Sequence, residues 1–85
     1  MQTFVYTIKD PVGMHARPAA LLVKTASMFK AHGVLSCNNK EADLTRLIAL
    51  MTLGVKQGMK VTVTFEGKDE EEAIKALAKV LSENL

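Results

Sequence analysis

The chain has 85 residues, 48% apolar and 24% charged, which fits one globular domain, leaves no room for a second and excludes a disordered chain. A net charge of +2, no tryptophan, three Phe and one Tyr argue against a base-stacking surface, so no nucleic-acid partner is expected. The single cysteine leaves no internal disulfide and no multi-cysteine zinc site, as suits a reducing compartment.

Phe4, Tyr6 and Ile8 are apolar at every second position, with Thr3 and Thr7 beside them, and predict a strand. Asp10-Pro11-Val12-Gly13 predicts a turn: Pro presets φ and Gly tolerates positive φ. From Pro18 to about Phe29 the period lengthens. Ala19, Leu22, Ala26 and Phe29 mark one stripe of a helix, which Gly33 is expected to break. Val34–Cys37 and Lys40–Asp43 read as a hairpin around Asn38-Asn39. Leu47–Leu53 predicts a short apolar helix with Gly54 as a left-handed cap.

Lys60–Glu66 is the clearest strand, with Val61, Val63 and Phe65 on one face. Asp69 is expected to cap a final helix, with Glu72 completing a capping box and Ile74, Leu77 and Leu81 as the buried stripe. The order β-α-β-β-α-β-α predicts one domain over residues 1–85. Its class is α/β (α+β): a two-layer open-faced β-sandwich, a four-stranded antiparallel sheet covered on one face by three helices. The first residues carry neither a basic segment nor an apolar one, so no signal peptide is expected. No apolar run approaches about 18 residues, so no membrane insertion is expected. The expected location is cytoplasmic.

The densest chemistry lies in Gly13-Met14-His15-Ala16-Arg17-Pro18-Ala19-Ala20, where a turn leads into a helix. A helix start offers unpaired N–H groups and partial positive charge, a ready anion site. Arg17 adds a planar fork suited to phosphate, and a positive field favours the neutral, nucleophilic imidazole at His15. Alone, His15 would read as an ordinary loop histidine. Its neighbours make phosphoryl chemistry the sharper reading. Pro18 at a first helical position would make Arg17 the cap rather than His15, and the sequence leaves that register open.

This segment resembles the active-site signature of the HPr family, the histidine-containing phosphocarriers of the bacterial phosphoenolpyruvate:sugar phosphotransferase system. The resemblance continues through Thr25-Ala26-Ser27, Leu50-Met51-Thr52-Leu53-Gly54-Val55 and Glu71-Glu72-Ala73-Ile74-Lys75-Ala76-Leu77, across essentially the whole chain. It implies that phosphorylated enzyme I passes a phosphoryl group to Nδ1 of His15, and that the carrier hands it to sugar-specific enzyme IIA domains. Arg17, with Ala16, would bind the phosphoryl oxygens. The carrier would be recharged by enzyme I rather than act as an independent enzyme. No cofactor and no metal is implied, and a monomer is expected.

Leu47-Ile48-Ala49-Leu50-Met51-Thr52-Leu53 is too apolar for a helix that buries one side. Leu50 and Leu53 are expected inward and Leu47, Ile48 and Met51 outward, unless the domain folds over the whole helix. The resemblance implies that Leu47, Ile48 and Met51 dock partners together with Ala20, Lys24 and Ser27 of the first helix. Two positions depart from the family pattern. Arg46 stands where many members carry a regulatory serine, so that switch is expected to be absent, with Thr45 and Thr52 as nearby hydroxyls. Val12 replaces a hydroxyl residue that can touch the phosphohistidine.

Other clusters are weaker. His32 and Cys37 lack ligand spacing, and Cys37 reads as a small buried hydrophobe. Glu70, Glu71 and Glu72 read as helix-start residues rather than catalytic carboxylates. The alternative to flux is a regulatory paralogue, for example of a nitrogen-type branch, acting mainly through phosphorylation-dependent protein binding.

Overall fold

A computed structural model describes all residues, Met1–Leu85. The elements are β1 (Gln2–Thr7), α1 (Ala16–Ala26), β2 (His32–Cys37), β3 (Lys40–Asp43), α2 (Leu47–Thr52), β4 (Lys60–Glu66) and α3 (Glu70–Asn84). The sheet is antiparallel throughout, in the order β1-β4-β2-β3, with Phe4 opposite Val63 and Leu35 opposite Val63 on the other side. Alternation decides its two faces. Val61, Val63, Phe65, Leu35, Cys37 and Ala42 point into the core, while Thr62, Thr64 and Ser36 face the open side.

α3 packs on β1, β4 and α1, and α2 lies against α1 and β3. Leu22, Leu35, Leu50, Leu77 and Leu81 are fully buried, and truncating any of them to Ala costs about 2–5 kcal/mol. No buried side chain is charged, and the one nucleophilic group in the core is the free Cys37 thiol. No helix is long and apolar enough to cross a membrane.

Several local expectations hold. Asn38 and Asn39 adopt φ of 50° and 64°, the paired left-handed conformation of a two-residue hairpin turn. Gly54, at φ 72°, follows the last helical residues of α2.

Three expectations need correction. α1 spans Ala16–Ala26 instead of starting at Pro18 and reaching Phe29. Beyond Ala26 the chain tightens, with the Met28 and Phe29 N–H groups donating to the Thr25 and Ala26 carbonyls, and Phe29 packs on the core from outside the helix. Gly33 does not break a helix. It lies within β2 under the Phe65 ring, where an added Cβ would sit 2.4 Å from a ring carbon.

The third correction is the capping box at α3. Asp69 occupies the cap position, but its side chain makes no cap bond. Its two carboxylate oxygens accept the Lys30 and Ala31 N–H groups at 2.9 and 2.8 Å, tying the segment between α1 and β2 to the start of α3. Glu70, rather than Glu72, reaches back, accepting the Gly67 N–H at 3.1 Å.

Candidate functional site

The turn before α1 is locked from below. Asp10 Oδ1 accepts the Val12 N–H at 2.8 Å, and the Asp10 carbonyl accepts the Gly13 N–H at 3.1 Å. Gly13 then takes φ 77°, and an added Cβ would lie 2.5 Å from the Val55 carbonyl oxygen. That carbonyl accepts the Met14 N–H at 3.1 Å, and the Met14 side chain is buried. Only glycine meets both demands at position 13.

His15 follows as the N-cap of α1, in extended conformation at φ −108°, with no hydrogen bond from its side chain. Its carbonyl accepts the Ala19 N–H at 3.1 Å, the first bond of the helix. The open register is thereby decided: His15 caps and Pro18 is the third helical residue. Pro18 is still in the first turn, where a missing N–H costs no intrahelical bond. The N–H groups of Ala16 and Arg17 have no partner, and the first turn contains no acid. A half-buried imidazole therefore stands beside two free backbone donors and the exposed Arg17 guanidinium.

His15, Arg17 and Pro18 line a hollow of about 240 Å³ together with Asp10, Glu83 and Asn84. Nothing in the sequence flags the last three as site residues. Asp10 reads as turn chemistry alone, and α3 arrives from the far end of the chain. A larger hollow of about 520 Å³ lies at the β2–β3 hairpin around Asn38, Lys40 and Lys60, and contains no histidine.

The expected docking residues share a neighbourhood, because α1 and α2 pack together. Ala20, Lys24 and Ser27 are exposed on α1 at helical spacing, and the Ser27 hydroxyl donates to the Val23 carbonyl at 2.7 Å. Ile48 is 71% exposed and Met51 38%, which excludes a fully covered α2. Leu50 points inward as expected, whereas Leu47 is half-buried rather than fully outside.

Arg46 is the exposed cap of α2 and its side chain bonds nothing there. The neighbouring hydroxyls are occupied. Thr45 donates to Asp43 at 2.6 Å, and Thr52 donates to the Ala49 carbonyl at 3.0 Å. Val12 is 67% exposed beside the His15 turn.

His32 and Cys37 lie on opposite faces of β2, and no three His, Cys, Asp or Glu side chains converge as a metal site. Instead His32 Nε2 bonds Asp43 Oδ2 at 2.9 Å. The Asp43 carboxyl is lowered to about 2, chiefly by the Thr45 hydroxyl and backbone N–H it accepts and further by His32.

A family model described as the PTS HPr component phosphorylation site matches residues 2–83. The chain belongs to this family. It is 40% identical over 85 residues to the phosphocarrier protein HPr of Mycoplasma pneumoniae, covering 99% of this chain and 97% of that one. A crystal structure of HPr from Thermoanaerobacter tengcongensis superposes with a TM-score of 0.91 at 44% identity, covering 96% and 92% of the two chains. Another structure from that organism, described as an HPr dimer, matches with a TM-score of 0.78 at 43% identity, covering 98% and 95%. Crh, the catabolite repression HPr of Bacillus subtilis, is similar at a TM-score of 0.70 and 32% identity, covering 99% and 100%. The open-faced sandwich is thus the HPr fold, and the family's role is that of phosphocarrier in the phosphotransferase system.

Proposed function

We propose that this chain accepts a phosphoryl group from phosphorylated enzyme I on Nδ1 of His15 and passes it to enzyme IIA domains in sugar uptake. The observation that carries this reading is the His15 ring, unbonded at the head of α1, beside the free Ala16 and Arg17 N–H groups. The neutral ring attacks phosphorus as the bond between phosphorus and the group that carries it on enzyme I breaks. Charge on the three phosphoryl oxygens then meets the two backbone donors and the Arg17 guanidinium. Transfer onward reverses the geometry on a new acceptor, and no metal is needed on the carrier's side.

Docking fits the adjoining face. Ile48, Met51 and the exposed side of Leu47 supply apolar contact, with Ala20 and Ser27 beside them. Lys24 and Arg46 supply charge, and neither α1 nor α2 carries an acid, so the partner surface should be acidic around an apolar centre. This reading expects a monomeric carrier in the cytoplasm, although a relative from Thermoanaerobacter tengcongensis is described as a dimer.

The test is a two-step chase. The chain is labelled with enzyme I, phosphoenolpyruvate and Mg²⁺, separated from the donor, and mixed with enzyme IIA. Loss of label from this chain with its gain on enzyme IIA is expected. The likeness to Crh gives a regulatory reading some ground, and label taken up but never passed on would favour that reading instead.

A further inference from the structure

The hollow that holds His15 is also lined by acid. Asp10, from the loop after β1, and Glu83, from the end of α3, line it together with Arg17, its only permanent cation. Neither carboxylate forms an ion pair; the chain's ion pairs are Met1 with Glu70 and His32 with Asp43. Glu83 is exposed, and Asp10 is half-buried with only Oδ1 engaged by the Val12 N–H. α3 also brings its C-terminal end here, and its last turn holds no basic residue to offset the partial negative charge. α1 brings its positive end, with no acid in its first turn. Two helix ends of opposite sign meet at the hollow.

A neutral imidazole responds little to such a field, but a phosphoryl dianion on the same ring responds strongly. The α1 donors and Arg17 hold that dianion, while Asp10, Glu83 and the end of α3 repel it. On the phosphocarrier reading above, we infer that Asp10 and Glu83 raise the phosphoryl-transfer potential of His15, so that the group leaves readily for an acceptor. They touch no reacting atom and act through the field. A carrier that bound its cargo with α1 and Arg17 alone would stabilise the loaded state without helping it unload.

The test is a competition at equilibrium. Equal amounts of ¹⁵N-labelled wild-type chain and unlabelled variant are mixed with catalytic enzyme I and limiting phosphoenolpyruvate. Neutral-pH intact-mass spectrometry reads how the phosphoryl group divides. Each exchange breaks one P–N bond and forms another, so the division measures relative potential. Glu83→Gln and Asp10→Asn should each hold about three- to tenfold more phosphoryl than wild type, with the excess shrinking in high salt. Asp10→Asn keeps the oxygen that accepts the Val12 N–H, so its turn survives. Glu83→Asp, which restores the charge, and Glu72→Gln, at the opposite end of α3, should divide evenly. Even division for both Glu83→Gln and Asp10→Asn overturns the inference and leaves the phosphocarrier reading standing. If neither chain gains phosphoryl, or His15→Ala is still labelled, both fall.

Discussion

The starts of α1 and α3 have the same backbone dipole and opposite contents. At α1 the Ala16 and Arg17 N–H groups are unpartnered, the His15 ring bonds nothing, and no acid lies in the first turn. At α3 the first turn carries Glu70, Glu71 and Glu72. Asp69 there holds the Lys30 and Ala31 N–H groups, while Glu70 holds the Gly67 N–H and pairs with the Met1 amino group at 2.6 Å. Those bonds hold both carboxyls below their ordinary values, for Asp69 led by the Lys30 N–H and for Glu70 by the Met1 amino group. A helix start becomes an anion site when the chain leaves it empty of its own carboxylates. The Glu71 and Glu72 N–H groups are as unpartnered as those of Ala16 and Arg17, but acidic side chains surround the start of α3, whereas none stands in the first turn of α1 to compete with an incoming anion.

The largest effect should come from unseating the acid-free end. Gly13→Ala combines positive φ with a clash at the Val55 carbonyl, and urea denaturation should show a loss of about 2–4 kcal/mol. A loss under about 0.5 kcal/mol would mean that position 13 does not anchor the His15 turn.

Next, Ala16→Glu puts an acid in the first turn of α1, as α3 already has. Ala16 is exposed at the first helical position, so stability should change by no more than about 1 kcal/mol. Phosphoryl transfer from enzyme I should nevertheless slow by about tenfold, because the new carboxylate competes for the same donors. Unchanged stopped-flow rates would show that an acid-free first turn is irrelevant.

Asp69→Asn tests the acidic end. It should lower the urea midpoint at pH 7 and leave the transfer rate of the folded protein unchanged. The Asp69 carboxyl titrates lower in the folded state than its unfolded value of about 4, so its contribution is full above that pH and lost as pH falls through the folded value. Wild-type and variant midpoints should therefore converge in acid. Asp43, lowered to about 2, adds acid sensitivity of the same sign between about pH 4 and pH 2.

The smallest effect belongs to Arg46→Glu, which reverses an exposed charge beside Ile48. Transfer from enzyme I should slow about two- to fivefold at low salt and recover at high salt. Equal rates at low salt would put Arg46 outside the interface.

Much of this was legible in the chain because it is local. Period-two alternation in Lys60–Glu66 marks the inward face, and Gly13 to Ala20 carries turn, imidazole, cation and helix start within one short stretch. What was not legible depends on distant partners. The end of α1 is set with Asp69, 39 and 38 residues from the two N–H groups it holds, which also removes Asp69 from the expected capping box. Gly33 answers to the Phe65 ring, and the acidic wall of the His15 hollow forms only when α3 returns to the loop after β1. Local patterns set each element's period; contacts across the fold decide where it stops and what its end faces.

The chain carries its own control for the central claim, because it has two histidines in different settings. His15 is unbonded at a helix start that carries no acid, whereas His32 is tied to Asp43 at 2.9 Å on β2. The most direct measurement is ¹H–¹⁵N NMR of both imidazole rings before and after incubation with enzyme I, phosphoenolpyruvate and Mg²⁺. Phosphorus coupling should appear at Nδ1 of His15 alone, with the His32 ring unchanged. Phosphorus on His32, or on neither ring while enzyme I is active, would contradict the assignment of the acid-free α1 start as the phosphoryl site.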